Sequence, residues 1–84
     1  MKQEVIILAI SNKIKGLMSI KGKKSYELAK YFGITAAAMR NKMSRDSFSA
    51  EDLIKIADFL EIDLAFIIDT QKIILNIDDI TISE

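Results

Sequence analysis

The sequence predicts a mainly α domain, in which four short helices are followed by a C-terminal β-hairpin. Two observations lead to this fold class. Apolar residues recur at three- and four-residue spacing up to about residue 60, interrupted by polar turns and helix caps, and an isoleucine-rich stretch follows residue 61. The chain has 84 residues, of which 50% are apolar, so it can form one compact domain and is too apolar for a disordered chain.

One apolar stripe predicts the first helix, from residue 4 to about residue 20. Further apolar residues near its start widen the stripe, which either broadens the core face or leaves some of them for a subunit contact. Residues 21–24 then break the pattern and predict a polar turn. The stripe consists of Ile6, Ile10, Ile14, Leu17 and Met18, and the widening residues are Val5, Ile7 and Leu8.

The second and third helices are predicted on either side of a glycine turn. The second covers residues 25–32 and ends at Gly33, and the third covers residues 36–44 with Thr35 as its N-cap. The predicted inner faces consist of Leu28, Ala29 and Phe32 in the second helix and Met39 and Met43 in the third.

The start of the fourth helix has a local signature. Ser49 is the predicted N-cap, and Asp52 lies three residues later in a capping-box arrangement. Phe48, which precedes the cap, is expected to pack on Leu53 as a hydrophobic staple. The predicted buried stripe consists of Leu53, Ile56, Ala57 and Leu60.

The isoleucine-rich end predicts a β-hairpin over residues 65–69 and 73–77, with an extra edge segment considered at residues 80–82. Two strands alone are marginally stable, so they must pack on the helices or pair with a second chain. We therefore divide the chain into a helical part, residues 1–64, and an extension, residues 65–84, within the same compact unit.

The charges are divided sharply along the chain, although the net charge is zero. Residues 1–45 contain ten Lys or Arg and two Glu, whereas residues 46–84 contain two Lys and ten Asp or Glu. Solvated surfaces usually mix both signs. The division therefore favours contact between the first half and a polyanion.

Several classes of protein are disfavoured. The chain contains no His and no Cys, and it has neither a phosphate-binding Gly-rich loop nor a Gly-x-Ser-x-Gly motif, so we expect no enzyme, metal site, cofactor or small-molecule ligand. The longest apolar run has six residues, too few to cross a membrane. No secretory signal is evident at the start of the sequence, so the cytoplasm is the expected compartment.

The stretch "SYELAKYFGITAAAMRNK" resembles the helix-turn-helix of the lambda-repressor and Cro-like family of regulators, also called XRE-type. Ala29 matches the small residue at the helix crossing, and Gly33 matches the turn glycine, where positive φ is needed. The resemblance extends over residues 6–64 and implies a lambda-repressor-like four-helix DNA-binding domain. The matching apolar positions are Leu28, Ile34 and Met39.

The resemblance implies that the third helix reads base edges in the major groove of double-stranded DNA through Ala36, Ala37 and Asn41. Alanine methyls can meet thymine methyls, and an Asn amide can pair with adenine. The alternative is that the alanines only supply helix propensity. Contacts to the DNA backbone are expected from Lys23, Lys24, Ser25, Tyr26, Thr35, Arg40, Lys42 and Arg45, although each lysine taken singly could be a solvated charge.

The sequence departs from the family pattern in two ways. Lys42 stands where an apolar residue is usual, and the hairpin replaces a fifth helix. Because a strand edge can pair with a second chain, we expect a homodimer and a pseudo-palindromic operator, with packing of the strands within one chain as the alternative. The expected function is a repressor-like transcription regulator. The alternative function is a degenerate helix-turn-helix that binds protein partners, such as an antirepressor.

Overall fold

The computed structural model describes residues 10–80, which form four helices followed by an antiparallel hairpin, and it confirms the predicted mainly α class. The predicted ranges of the second and third helices and the predicted start of the fourth hold to within one residue. The predicted start of the first helix lies outside the described residues. The elements are α1 (Ile10–Ile20), α2 (Ser25–Phe32), α3 (Ala36–Arg45), α4 (Ala50–Leu60), β1 (Leu64–Ile68), β2 (Gln71–Leu75) and a 3-10 turn (Ile77–Asp79).

The core lies between the four helices. Leu28 of α2, Met39 of α3 and Leu60 of α4 are its largest fully buried side chains. The predicted inner residues of α2 to α4 are confirmed as buried residues or as partly buried residues packed against the core. The other members of the buried cluster are Ile14, Met18, Ala29, Met43 and Ile56.

The prediction for Leu17 is wrong, since its side chain is 37% exposed. At about 3.6 residues per turn, the buried line of α1 runs along Ser11, Ile14 and Met18. Leu17 lies on the flank of that line. Ser11 is buried, and its backbone N–H donates to the carboxylate of Asp46 at 2.6 Å, which joins α1 to the end of α3.

The predicted caps of α3 and α4 are confirmed. The Thr35 hydroxyl oxygen accepts a hydrogen bond from the backbone N–H of Ala38, at 3.0 Å. Ser49 and Asp52 form the reciprocal capping box, with both hydrogen bonds at 3.0 Å. These bonds satisfy backbone donors that a helix start otherwise leaves without partners.

The hairpin begins one residue earlier than predicted. β1 and β2 pair from Leu64 opposite Leu75 to Ile68 opposite Gln71. Asp69 has a φ of 53°, which lets the chain reverse direction over the two residues 69 and 70. The second strand therefore starts at Gln71, two residues earlier than predicted.

The chain beyond the hairpin differs from the predicted strand. Residues 77–79 form the 3-10 turn, which begins at Asn76, where the side chain accepts a hydrogen bond from the Asp78 backbone N–H at 2.9 Å. Ile80 is not in a strand. Within the described residues the predicted edge segment is therefore wrong at Ile80, and its remaining two residues lie outside them.

The base of the hairpin packs on α4 around a small cavity of about 250 Å³. Leu64, Ala65 and Leu75 are half-buried there, against the first turns of α4. The rest of the hairpin leaves large apolar side chains exposed, namely Phe66, Ile67, Ile68, Ile73 and Ile74.

Candidate nucleic-acid interface

The two sides of α3 differ in burial and in chemistry. Met39 and Met43 are buried in the core. Ala37 and Asn41, one turn apart, are exposed on the opposite side. Ala36 and Arg40 are exposed as well. The methyl groups of Ala36 and Ala37 and the Asn41 amide are therefore accessible on the exposed part of α3.

The turn between α2 and α3 holds that surface in place. Gly33 ends α2 with a φ of 71°, and the backbone N–H of Ile34 donates to the Ala29 carbonyl at 3.0 Å. Ala29 is buried between the helices. A Cβ added to Gly33 would meet no atom within 4 Å, so the position requires glycine because of its backbone conformation and not for lack of space.

Polar groups surround the start of each helix of this motif. Ser25 and Tyr26 are exposed at the start of α2, and Thr35 is exposed before α3. The Thr35 hydroxyl accepts the capping hydrogen bond, which leaves its own O–H available as a donor. All three side chains are therefore accessible to solvent.

The predicted cationic residues differ in their surroundings. Lys24, Arg40 and Arg45 are exposed, and within residues 10–80 none of them takes part in a salt bridge. Lys42 is half-buried, and its ammonium lies 2.9 Å from a carboxylate oxygen of Asp52. Met43 fills the core next to it, which explains how the third helix tolerates a lysine at an apolar position of the family.

Three residues that were not predicted as functional link α2 to α4, namely Tyr31, Asp58 and Phe59. The Tyr31 hydroxyl donates to Asp58 at 2.5 Å, and its ring centroid lies 5.3 Å from that of Phe59. The hydrogen bond to Asp58, burial and the Asp58 charge all raise the pKa of Tyr31. The Lys23 ammonium lies 5.6 Å from the Phe59 ring centroid, so this lysine is directed toward α4.

The Asp52 carboxyl has opposing influences on its pKa. Burial raises the pKa, whereas hydrogen bonds from the Lys42 ammonium and the Ser49 backbone N–H, together with the Lys42 charge, lower it. The lowering effects are larger, and the pKa of Asp52 lies below its ordinary value of 3.8. The carboxylate is therefore ionised at neutral pH and keeps Lys42 paired.

A groove of about 620 Å³ lies beside α3, between α1 and the start of α2. Its lining includes Lys23, Lys24, Ser25 and Arg40, which were predicted from the sequence as DNA contacts. A smaller cavity of about 270 Å³ borders the other side of α3 and includes Asn41 and Arg45 in its lining. The structure thus brings most of the predicted residues to one helix and its two flanks.

The groove also contains residues that were not predicted from the sequence, namely Lys15 and Ser19 of α1 and Ser44 of α3. The charge excess of the first half was the only signal in the sequence that included Lys15. Its position depends on how α1 crosses α3, which apolar spacing does not determine.

Other kinds of site find no support in the described part of the chain. Among residues 10–80, no group of three or more His, Cys, Asp or Glu is arranged to hold a metal ion. Every helix in the same range is too short or too polar to span a membrane.

Comparison with known proteins identifies the motif. No curated protein and no solved structure matches this chain with significant similarity. The family model of the bacteriophage CI repressor helix-turn-helix domain matches residues 12–72, which is more than half of the chain. This match confirms the resemblance that Ala29, Gly33 and their neighbours indicated, and the chain belongs to the family of bacteriophage CI repressor helix-turn-helix domains.

Proposed function

We propose that this protein is a sequence-specific, double-stranded DNA-binding transcription regulator of repressor type, which inserts α3 into the major groove. The observation that supports it most directly is the outward position of Ala37 and Asn41, opposite the buried Met39 and Met43. Family membership supports the same proposal. The mechanism is binding alone and includes no catalytic step.

Base reading is assigned to three residues of α3. Asn41 presents an amide that can donate to adenine N7 and accept from adenine N6, a pair that contributes about 1–3 kcal/mol of discrimination. Ala36 and Ala37 present methyl groups that can meet thymine methyls. Their small size also lets the helix approach the base edges closely.

Backbone binding is assigned to the exposed polar and cationic residues that surround α3. Arg40, Arg45 and Lys24 supply charge, while Thr35, Ser25 and Tyr26 supply hydroxyl donors. Lys23 and Lys42 contribute less to phosphate binding in this proposal, because Phe59 and Asp52 already engage them.

We also propose that the protein acts as a homodimer through residues 65–84. The hairpin leaves Phe66, Ile67 and Ile73 between 51% and 74% exposed. A contiguous group of large exposed apolar side chains is typical of an interaction surface. Two copies joined there would present two α3 helices to successive major grooves, about 34 Å apart, and the operator would be pseudo-palindromic.

The second candidate is a degenerate helix-turn-helix that regulates through protein partners, as an antirepressor does. It is favoured by the absence of hydrogen-bonding groups on the Ala36 and Ala37 side chains and by the pairing of Lys42 with Asp52. The zero net charge also favours it.

Selection of bound duplexes from a random pool, followed by titration at several salt concentrations, tests the proposal. About five phosphate contacts per subunit should give a log–log slope of affinity against salt near −4 to −5 per subunit. A consensus with two-fold symmetry, together with a dimer mass by sedimentation, would support the full proposal. Failure to enrich any duplex would favour the protein-binding alternative.

A further inference from the structure

The groove between α1, the start of α2 and α3 is open and measures about 620 Å³. Three separate elements contribute cationic side chains to it: Lys15 from α1, Lys23 and Lys24 from the start of α2, and Arg40 from α3. The Lys23 ammonium also lies 5.6 Å from the Phe59 ring centroid, so the other three are the cations most available to a ligand. Serine hydroxyls from the same three elements line it as well. They belong to Ser19, Ser25 and Ser44.

These cations have no acidic partner in the described part of the chain. Across residues 10–80, neither Lys15, Lys24 nor Arg40 forms a salt bridge, and the lining of the groove includes no Asp or Glu. The buried apolar part of the lining consists of Met18 and Met43. Their thioether sulfurs are only weak hydrogen-bond acceptors, so they do not satisfy the nearby ammonium groups. Like charges therefore line one open space, where a bound anion would relieve their repulsion.

The start of α2 adds to this attraction. Lys24 occupies its N-cap position and makes no side-chain capping hydrogen bond, whereas Thr35 and Ser49 cap the two helices that follow. Backbone N–H groups at an uncapped helix start can donate to an anion. The N-terminal end of the helix dipole is also positive, like the lysine side chains beside it. A phosphate oxygen satisfies both requirements.

The groove is continuous with the surface assigned to base reading. Arg40 and Ser44 line it from α3, the helix that also exposes Ala37 and Asn41. A duplex whose base edges meet Ala37 and Asn41 brings its own backbone alongside that helix. The phosphates of that backbone are the nearest anions that the groove can receive.

We propose that this groove binds the phosphate backbone of the DNA strand next to α3, and that Lys15 makes α1 part of the DNA interface. The proposal rests on the proposed function, since it names a further contact of the same DNA. Lys15 acts as a phosphate contact without base preference.

The test compares Lys15→Ala with Lys13→Ala, in the full chain. Lys13 is an exposed lysine two residues earlier on α1, and it borders a different cavity, together with Leu17 and Ile20. Affinity for the selected duplex and for a random duplex is measured at several salt concentrations, and circular dichroism checks the fold of both variants. Lys15→Arg serves as the charge-retaining control.

Lys15→Ala should weaken binding to both duplexes by the same factor, roughly tenfold at low salt, because one lost counterion release reduces the log–log slope by about 0.9 per subunit. Lys13→Ala and Lys15→Arg should behave like the unmodified chain. If Lys15→Ala and Lys13→Ala have equal slopes while the unmodified chain binds duplex normally, the groove assignment is overturned and the proposed function stands. If the unmodified chain binds no duplex at all, the proposed function itself fails.

A titration with inorganic phosphate alone distinguishes DNA from a free phosphate ion as the source of the anion. Weak binding that shifts the amide resonances of Ser19, Ser25 and Ser44, and that Lys15→Ala abolishes, would support a phosphate site in the groove. The same shifts combined with an unchanged duplex slope for Lys15→Ala would overturn the assignment to the DNA backbone.

Discussion

The Lys42 ammonium and the Asp52 carboxylate lie 2.9 Å apart and join the last turn of α3 to the first turn of α4. The same carboxylate oxygen accepts the Ser49 backbone N–H at 3.0 Å, so one atom serves both the capping box and the ion pair. The orientation of the proposed recognition helix is thus coupled to the start of its neighbour.

Because of this ion pair, we expect Lys42 and Arg40 to respond differently to truncation. Arg40→Ala should reduce the slope of log affinity against log salt by about 1 per subunit. Lys42→Ala should change the slope less and instead lower the midpoint of thermal unfolding, since it leaves Asp52 without its cation. Duplex titrations and melting curves of both variants check this, and equal slope changes would contradict the assigned difference.

Asn41→Ala should relax the base preference at one position in each half-site. The amide is the only hydrogen-bonding group among the three residues assigned to bases, and a good amide–adenine pair contributes about 1–3 kcal/mol of discrimination. Random-pool selection with the variant measures the effect, with Arg40→Ala as the control that should weaken all sequences alike. An equal loss on selected and random duplexes for Asn41→Ala would remove its role in base reading.

Stability should depend on the ionisation of Asp52 in acid. Since the pKa of this carboxyl is lowered in the folded chain, its ionised form stabilises the fold fully above the ordinary value of 3.8, and this contribution is lost as the pH falls through the lowered pKa. Asp52→Asn should therefore cost up to about 1 kcal/mol near neutral pH, the range for a partly exposed ion pair, and the difference should shrink below about pH 4. Urea unfolding of both chains over this range is the measurement, and a difference that stays constant with pH would contradict the prediction.

Two glycine substitutions should have opposite effects on the free energy of unfolding. Gly33→Ala should destabilise by about 1–2 kcal/mol because alanine must adopt the left-handed φ of 71°. Gly16→Ala should stabilise by about 0.5–1 kcal/mol, since Gly16 lies inside α1 and an added Cβ there meets nothing within 4 Å. Chemical denaturation of each variant measures its free energy of unfolding. A Gly33→Ala variant more stable than the unmodified chain would show that the turn does not need a positive φ.

A charge on the hairpin should disrupt the proposed dimer without unfolding the helices. Ile67 is 74% exposed on β1, and Ile20 is 81% exposed at the end of α1, which makes Ile20→Lys a matched control for Ile67→Lys. Sedimentation should show a monomer for Ile67→Lys alone, and its affinity for a palindromic duplex should fall. A dimer that survives Ile67→Lys would place the subunit contact elsewhere.

The amino-acid sequence determined the features that depend on near neighbours in the chain. Ser49 and Asp52 are three residues apart, and their capping box could be predicted because helix geometry alone brings them together. The buried methionines of α3 and the turn at Gly33 follow in the same way from spacing and backbone preference. The exposed alanines are a consequence of that spacing.

Only the tertiary structure decided which distant residues meet. Asp46 accepts the Ser11 N–H across 35 positions of sequence, Lys42 pairs with Asp52, and Lys15 reaches the groove beside Arg40. Each of these contacts depends on the angle and distance at which two helices cross. Those quantities are fixed by the packing of the whole core, whereas apolar spacing specifies only which side of a helix is buried.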